Sequence, residues 1–306
     1  MTRISTLAQQ QALVSQMLRA QTQVAESQRQ VLTGQKADRY EGIARDASAL
    51  ISAQAIDSRT QKFIELANQV GAQVSLQDTS LNTMYGTVKG LRDSILQALG
   101  NNTGRSISVD LDSAFVSGKA VLNTSYAGKF LFGGTRTNVQ PFSAANVADL
   151  ATVASPVASY FKNSPQKAQV RIEQNLAIEH GILANDVGLN MMASIKRLAE
   201  YNAATPFGNI LTPADRVALQ AEVTNLDNAL SGIIQLQAGN GFVGTRIESV
   251  TIRNQQLEAV NKQLIADLSE VDMAEAISRL NQDKLAVEAS YNLVRQISQL
   301  TLLKFL

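Results

Sequence analysis

Residues 49–98, ALISAQAIDSRTQKFIELANQVGAQVSLQDTSLNTMYGTVKGLRDSILQA, decide how the rest of the chain is read. Steps of three and four from Ala49 give Ala49, Ala53, Ile56, Thr60, Phe63, Ala67, Val70, Val74 and Gln77. The series continues through Leu81, Met84, Val88, Leu91, Ile95 and Ala98. A 3-4 spacing held for about seven heptads is the mark of one helix with a continuous packing stripe. No proline interrupts it, and Gly71, Gly86 and Gly90 fall off the seam. At 1.5 Å per residue such a helix runs about 75 Å, so it needs partners along its whole length. The pattern predicts a mainly α fold, a long antiparallel helical rod of coiled-coil type.

Downstream of this helix, Gly100-Asn101-Asn102-Thr103-Gly104 spells a turn. A helix is expected over about 106–127, carrying Val109, Phe115, Val116 and Leu122 and packing back as a hairpin. Lys129–Thr137, KFLFGGTRT, reads as a short strand entering a tight turn. Residues 138–187 differ in kind. Pro141, Pro156 and Pro165 exclude long helices, and alternation over Ala168–Ile172 and Ala177–Leu183 predicts strands in a small β-rich insertion. Helical period returns over 187–203 and again over 215–237. Gly239–Gly244 then reads as a helix–helix turn. Beyond it Val243, Val250, Leu257, Leu264 and Val271 recur every seven residues, joined by Ile247 and Leu268 with Asn254 and Asn261 between. This second seam is the expected antiparallel partner of the first.

The two ends carry weaker stripes. Leu7, Val14, Met17, Val24 and Val31 share one with Gln10, Gln21 and Gln28, before a stop at Thr33-Gly34. After Ser269–Asp272 the phase shifts, and a last stripe runs through Ile277, Leu280, Val287, Tyr291, Val294 and Ile297 to the apolar end Leu300–Leu306. Helices with so few large apolar groups do not offset their ordering entropy alone, so partner-dependent folding is expected. The chain is thus nested. Terminal helices over 1–43 and 272–306 enclose a rod over 44–134 and 188–271, which encloses the insertion at 135–187.

Composition narrows function by exclusion. A net charge of +1 offers no electrostatic case for nucleic acid or an anionic membrane surface. The absence of cysteine removes disulfides and thiol chemistry. No window approaches 18 apolar residues, and the polar opening lacks the pattern of a cleaved secretory signal. Gly239-Asn240-Gly241-Phe242-Val243-Gly244 fits a dinucleotide string with Glu258 downstream, yet an amphipathic helix rather than a buried strand precedes it. The single histidine, His180, reads as a solvated loop residue, and Asp110, Asp112, Asp267, Glu270 and Asp272 as capping or surface charges. No nucleophile–base set, cofactor site or metal site is expected. The chain does not read as an enzyme.

Met1–Thr6 (MTRIST), the Leu32-Thr33-Gly34 stop, KFLFGGTRT with Pro141-Phe142-Ser143, and Glu270–Leu306 together resemble the bacterial flagellin superfamily, and within it the hook-associated members. The resemblance implies a structural subunit of the bacterial flagellum that joins hook to filament. Such a subunit is extracellular, exported by the flagellar type III route without a cleaved signal. Its terminal helices are disordered in the monomer and assemble by coiled-coil pairing. Carried over by position, Ile4, Leu7, Val14, Met17, Val24, Val31, Ile277, Leu280, Val287, Tyr291, Val294, Ile297 and Leu300 become assembly residues. The implied partners are further copies of the chain in a ring, an adjacent hook-associated protein, flagellin, and an export chaperone on the C-terminal helix. Two other readings stay open: the bulk flagellin subunit, and a cytoplasmic signalling coiled coil.

Overall fold

The computed structural model describes residues 2–152 and 155–302, with side-chain surroundings given for 11–152 and 155–296. The fold is mainly α. Helix α1 spans Thr2–Thr33, α2 Ala47–Asn101, α3 Ile107–Leu122, α4 Val147–Leu150, α5 Ala184–Ala204, α6 Pro213–Ser269 and α7 Met273–Leu302. Two small antiparallel hairpins sit between helices: β1 (Ser125–Tyr126) with β2 (Lys129–Phe130), and β3 (Ala168–Glu173) with β4 (Leu176–His180).

The 49–98 stripe lies within α2, and most of it is buried, from Ala53 and Thr60 through Ala67, Val70, Val74 and Gln77 to Ala98. Near the start of the helix the inward position passes to Leu50, leaving Ala49 and Ile56 exposed. α3 also turns differently from its apolar pattern. Phe115 and Leu122 are buried, whereas Val109 and Val116 are about two-thirds exposed, at 66% and 64%.

The expected turn at Gly239–Gly244 does not exist: α6 passes through it unbroken. Each glycine in a helix costs up to about 1 kcal/mol, and close packing offsets the cost at Gly244. The built Cβ position of Gly244 lies 3.5 Å from a Val74 methyl, and that of Gly71 lies 3.8 Å from an Ile247 methyl. Asn240, buried between them in sequence, donates through Nδ2 to the Val74 carbonyl at 2.8 Å. Two further asparagines on the same heptad position do likewise: Asn254 donates to Ile172 O at 3.1 Å and Asn261 to Ala53 O at 2.7 Å.

The chain divides into two compact units, Met1–Thr60 with Gln256–Leu306, and Gln61–Gln255. In the second, one core gathers Leu81–Ile95 of α2, Phe115 and Leu122 of α3, Phe132, Phe142, Met191 and Met192 of α5, and Leu219–Ile233 of α6. Phe142 is its aromatic hub, packing edge-on to Phe115 at 6.1 Å and tilted against Phe161 at 5.0 Å between centroids. A smaller cluster seats the β3–β4 hairpin by Ile172 and Ile178 on Ala67, Val70, Val74, Ile247 and Val250. Gly133-Gly134 makes the turn after Phe132 possible. A Cβ on Gly133 would fall 2.3 Å from Arg136 O, and Gly134 has φ +64° with Gln166 O 2.5 Å from its Cβ position.

His180 is not a solvated loop residue. It ends β4, half-buried, and burial pushes its imidazole pKa below the ordinary value. Burial thus favours its neutral form.

Candidate assembly surfaces

In the unit formed by the two ends, α1 and α7 pair antiparallel. Gln21 donates to the Tyr291 hydroxyl and, later in α1 but earlier in α7, Ser27 Oγ donates to Asp283. The more buried residues of α1 recur as Leu13, Met17, Ala20, Val24, Ser27 and Val31, and those of α7 as Ala276, Leu280, Asp283, Val287, Ser290 and Val294. Both series keep the 3-4 spacing of a coiled-coil seam. The seam is unusual in its smallness. Ala20 and Ser27 are its most buried members on α1, and Ala276 on α7.

The helix ends are tied by main chain. Gly34 closes α1 at φ +72°, accepts from Val271 N–H at 2.9 Å, and Lys36 N–H donates to Ser269 O at 2.8 Å. Asp272 then caps α7 by accepting from Ala274 N–H at 2.8 Å. Arg29 bonds Glu26, Asp38 and the Lys36 carbonyl, and its guanidinium holds the Glu26 carboxyl below the ordinary carboxylate range.

Of the residues expected to carry assembly, Met17, Val24, Val31, Leu280, Val287 and Val294 lie on this intramolecular seam. Val14, Ile277 and Tyr291 lie off it, 39%, 46% and 50% exposed. Ile4 and Leu7 fall in α1, and Ile297 and Leu300 in α7, outside the residues whose side chains are described. The stripe read from sequence shares every second position with the observed seam and is otherwise one residue off. Large Gln21 and Gln28 drew attention, while small Ala20 and Ser27 take the interior because they let two backbones approach.

Sequence alone also missed the open face. On α1, Val14, Leu18, Ala25 and Leu32 follow the same 3-4 lattice as a second stripe, with Gln11, Gln21 and Gln28 filling its other positions. Leu18 is 54% and Leu32 85% exposed. On α7, Leu285 and Leu293 stand 64% and 50% exposed. Apart from Gln21, which bonds Tyr291, this second stripe is left exposed once α1 has paired with α7. The signal that could have revealed it was the recurrence of leucine at 18 and 32 beside, not on, the valine stripe.

Among the described residues no helix is long and apolar enough to cross a membrane, and no group of three or more His, Asp or Glu is placed to hold a metal ion.

No curated protein matches the chain in sequence. Residues 223–306 match the family described as bacterial flagellin C-terminal helical region. Among solved structures, a putative flagellar hook-associated protein from Vibrio parahaemolyticus superposes with a TM-score of 0.60 at 13% identity, over 73% of this chain and 97% of that one. FlgL of Xanthomonas campestris gives 0.56 at 12% identity, over 71% and 99%. In fold, then, the chain is similar to the flagellar hook-associated proteins, and its last quarter carries the helical pattern of the flagellins.

Proposed function

We propose that this chain is a structural, non-catalytic subunit of the bacterial flagellum at the junction of hook and filament. It adds to its neighbours through the open stripe of α1 and the exposed leucines of α7. The observation that carries this is the apolar lattice left exposed on α1 after its pairing with α7 is complete. The fold similarity supports the same reading, and the flagellin-like C-terminal region supports its flagellar role. Residues 1–43 with 272–306 form the assembly domain, 44–134 with 188–271 the rod, and 135–187 the outer insertion. Further copies, an adjacent hook-associated protein and flagellin are its neighbours, with an export chaperone covering the C-terminal helix before type III export. The match of 223–306 to the flagellin family favours one rival, the bulk filament subunit. Copy number per flagellum decides between the two.

The test separates the open stripe from the filled seam. Leu18→Asp and Leu285→Asp lie on exposed surface, so each leaves the monomer's helix content and melting temperature unchanged while abolishing motility and ring formation. Val24→Asp and Val287→Asp bury a charge in the α1–α7 seam, and lower monomer helicity as well. Normal swimming with Leu18→Asp and Leu285→Asp combined sinks the proposal.

A further inference from the structure

Gln77 of α2 is 3% exposed, and its two side-chain ends meet different fates. Nε2 donates to the Leu131 carbonyl at 2.9 Å. Oε1 is buried with no hydrogen-bond donor in reach. Flipping the amide does not cure this, because it would set Oε1 against the Leu131 carbonyl, acceptor to acceptor. Gln77 lines a cavity of about 50 Å³ together with His180, Gly181, Tyr126 and Lys129. A water needs roughly 10–15 Å³ of such space, so the cavity admits one or a few waters and no larger ligand.

We propose that this cavity is an internal-water site, in which water donates to Gln77 Oε1 and bridges it to the imidazole of His180. The chemistry fits from both sides. Oε1 requires a donor, and a neutral imidazole offers one N–H and one acceptor nitrogen, so a water completes the chain in either tautomer. Tyr126 and Lys129 are the other ionisable groups lining the cavity; both are exposed residues of the β1–β2 hairpin. The bridge ties three elements at one point: α2 through Gln77, the turn after β2 through Leu131, and the β3–β4 hairpin through His180. This inference stands apart from the assembly reading and does not depend on it.

His180 is the only histidine in the chain, so its imidazole gives a single assignable NMR signal. Two measurements test the site. In the unaltered protein, water-to-protein cross-relaxation at the Gln77 side-chain amide is expected to show a bound water living longer than a nanosecond. In Gln77→Leu, which removes the oxygen the water donates to and adds no charge, the bridging water is lost and the ring-nitrogen chemical shifts of His180 are expected to change. Absence of the long-lived water signal overturns the site, and His180 ring-nitrogen shifts that stay unchanged in the folded variant overturn the bridge to His180.

Discussion

A methyl group added at position 134 has nowhere to go. Its backbone sits at φ +64°, and the Gln166 carbonyl oxygen is 2.5 Å from where the carbon would stand. Gly134→Ala is therefore expected to cost about 1–3 kcal/mol, read as a fall in thermal melting temperature with the secondary structure retained. The sequence made this glycine pair legible as a tight turn, since only glycine reaches the left-handed region freely. Glu222 was not legible. Burial would raise its carboxyl pKa, but Arg197, at 2.6 Å and 2.8 Å, with Ser194 and Asn225, outweighs burial and holds it below the ordinary value. A lowered folded pKa means stability that is present above the unfolded carboxylate value and lost as pH falls through the folded one. Glu222→Gln should thus flatten the dependence of unfolding free energy on pH below about 4.5, the unfolded glutamate value. Denaturant titrations at a series of acid pH values measure this. A single sequence cannot reveal that Arg197 and Glu222 meet, because they come from different helices, α5 and α6.

At the level of the element, α6 shows why glycine and asparagine misled. The string from Gly239 to Gly244 has the composition of a turn, and local propensity favours a break there. Tertiary contacts override it: Gly244 allows close approach to Val74, and Asn240 bonds the Val74 carbonyl. Gly239 and Gly241 have no such duty, since nothing lies within 4 Å of a Cβ at either position. Gly241→Ala should accordingly raise stability by about 0.5–1 kcal/mol, measured by denaturant unfolding, as it would not in a phosphate-binding turn. The buried asparagines set a second contrast. Asn261→Asp replaces a donor by an acceptor facing the Ala53 carbonyl, and should destabilise by about 2 kcal/mol or more at neutral pH, recovering as the carboxyl protonates. Asn261→Leu should cost much less. The long helices themselves were legible because 3-4 periodicity needs no knowledge of the partner. The phase of the terminal stripe was not, because its interior is made of alanine and serine, which hydropathy does not flag.

Taken as a whole, the molecule brings its two ends together: α1 has its main packing partner in α7. That long helices flank a small β-rich stretch was visible from the order of the patterns. The pairing of α1 with α7 by a small-residue seam was visible only in the structure. If α1 depends on that seam, removing residues 273–306 should abolish the helicity of 2–33 too, so circular dichroism should lose roughly twice the signal of one helix. By the same logic, amide exchange in α1 and α7 should be faster than in α3 and α5, whose apolar residues lie in the main core. Hydrogen–deuterium exchange on the isolated chain checks the order.

The pairing of first helix with last also sets a timetable. A polypeptide emerging from a ribosome presents α1 long before α7 has been made. Helix α1 must wait, unclosed, until residues 273–302 come into view, and only then can the clasp shut.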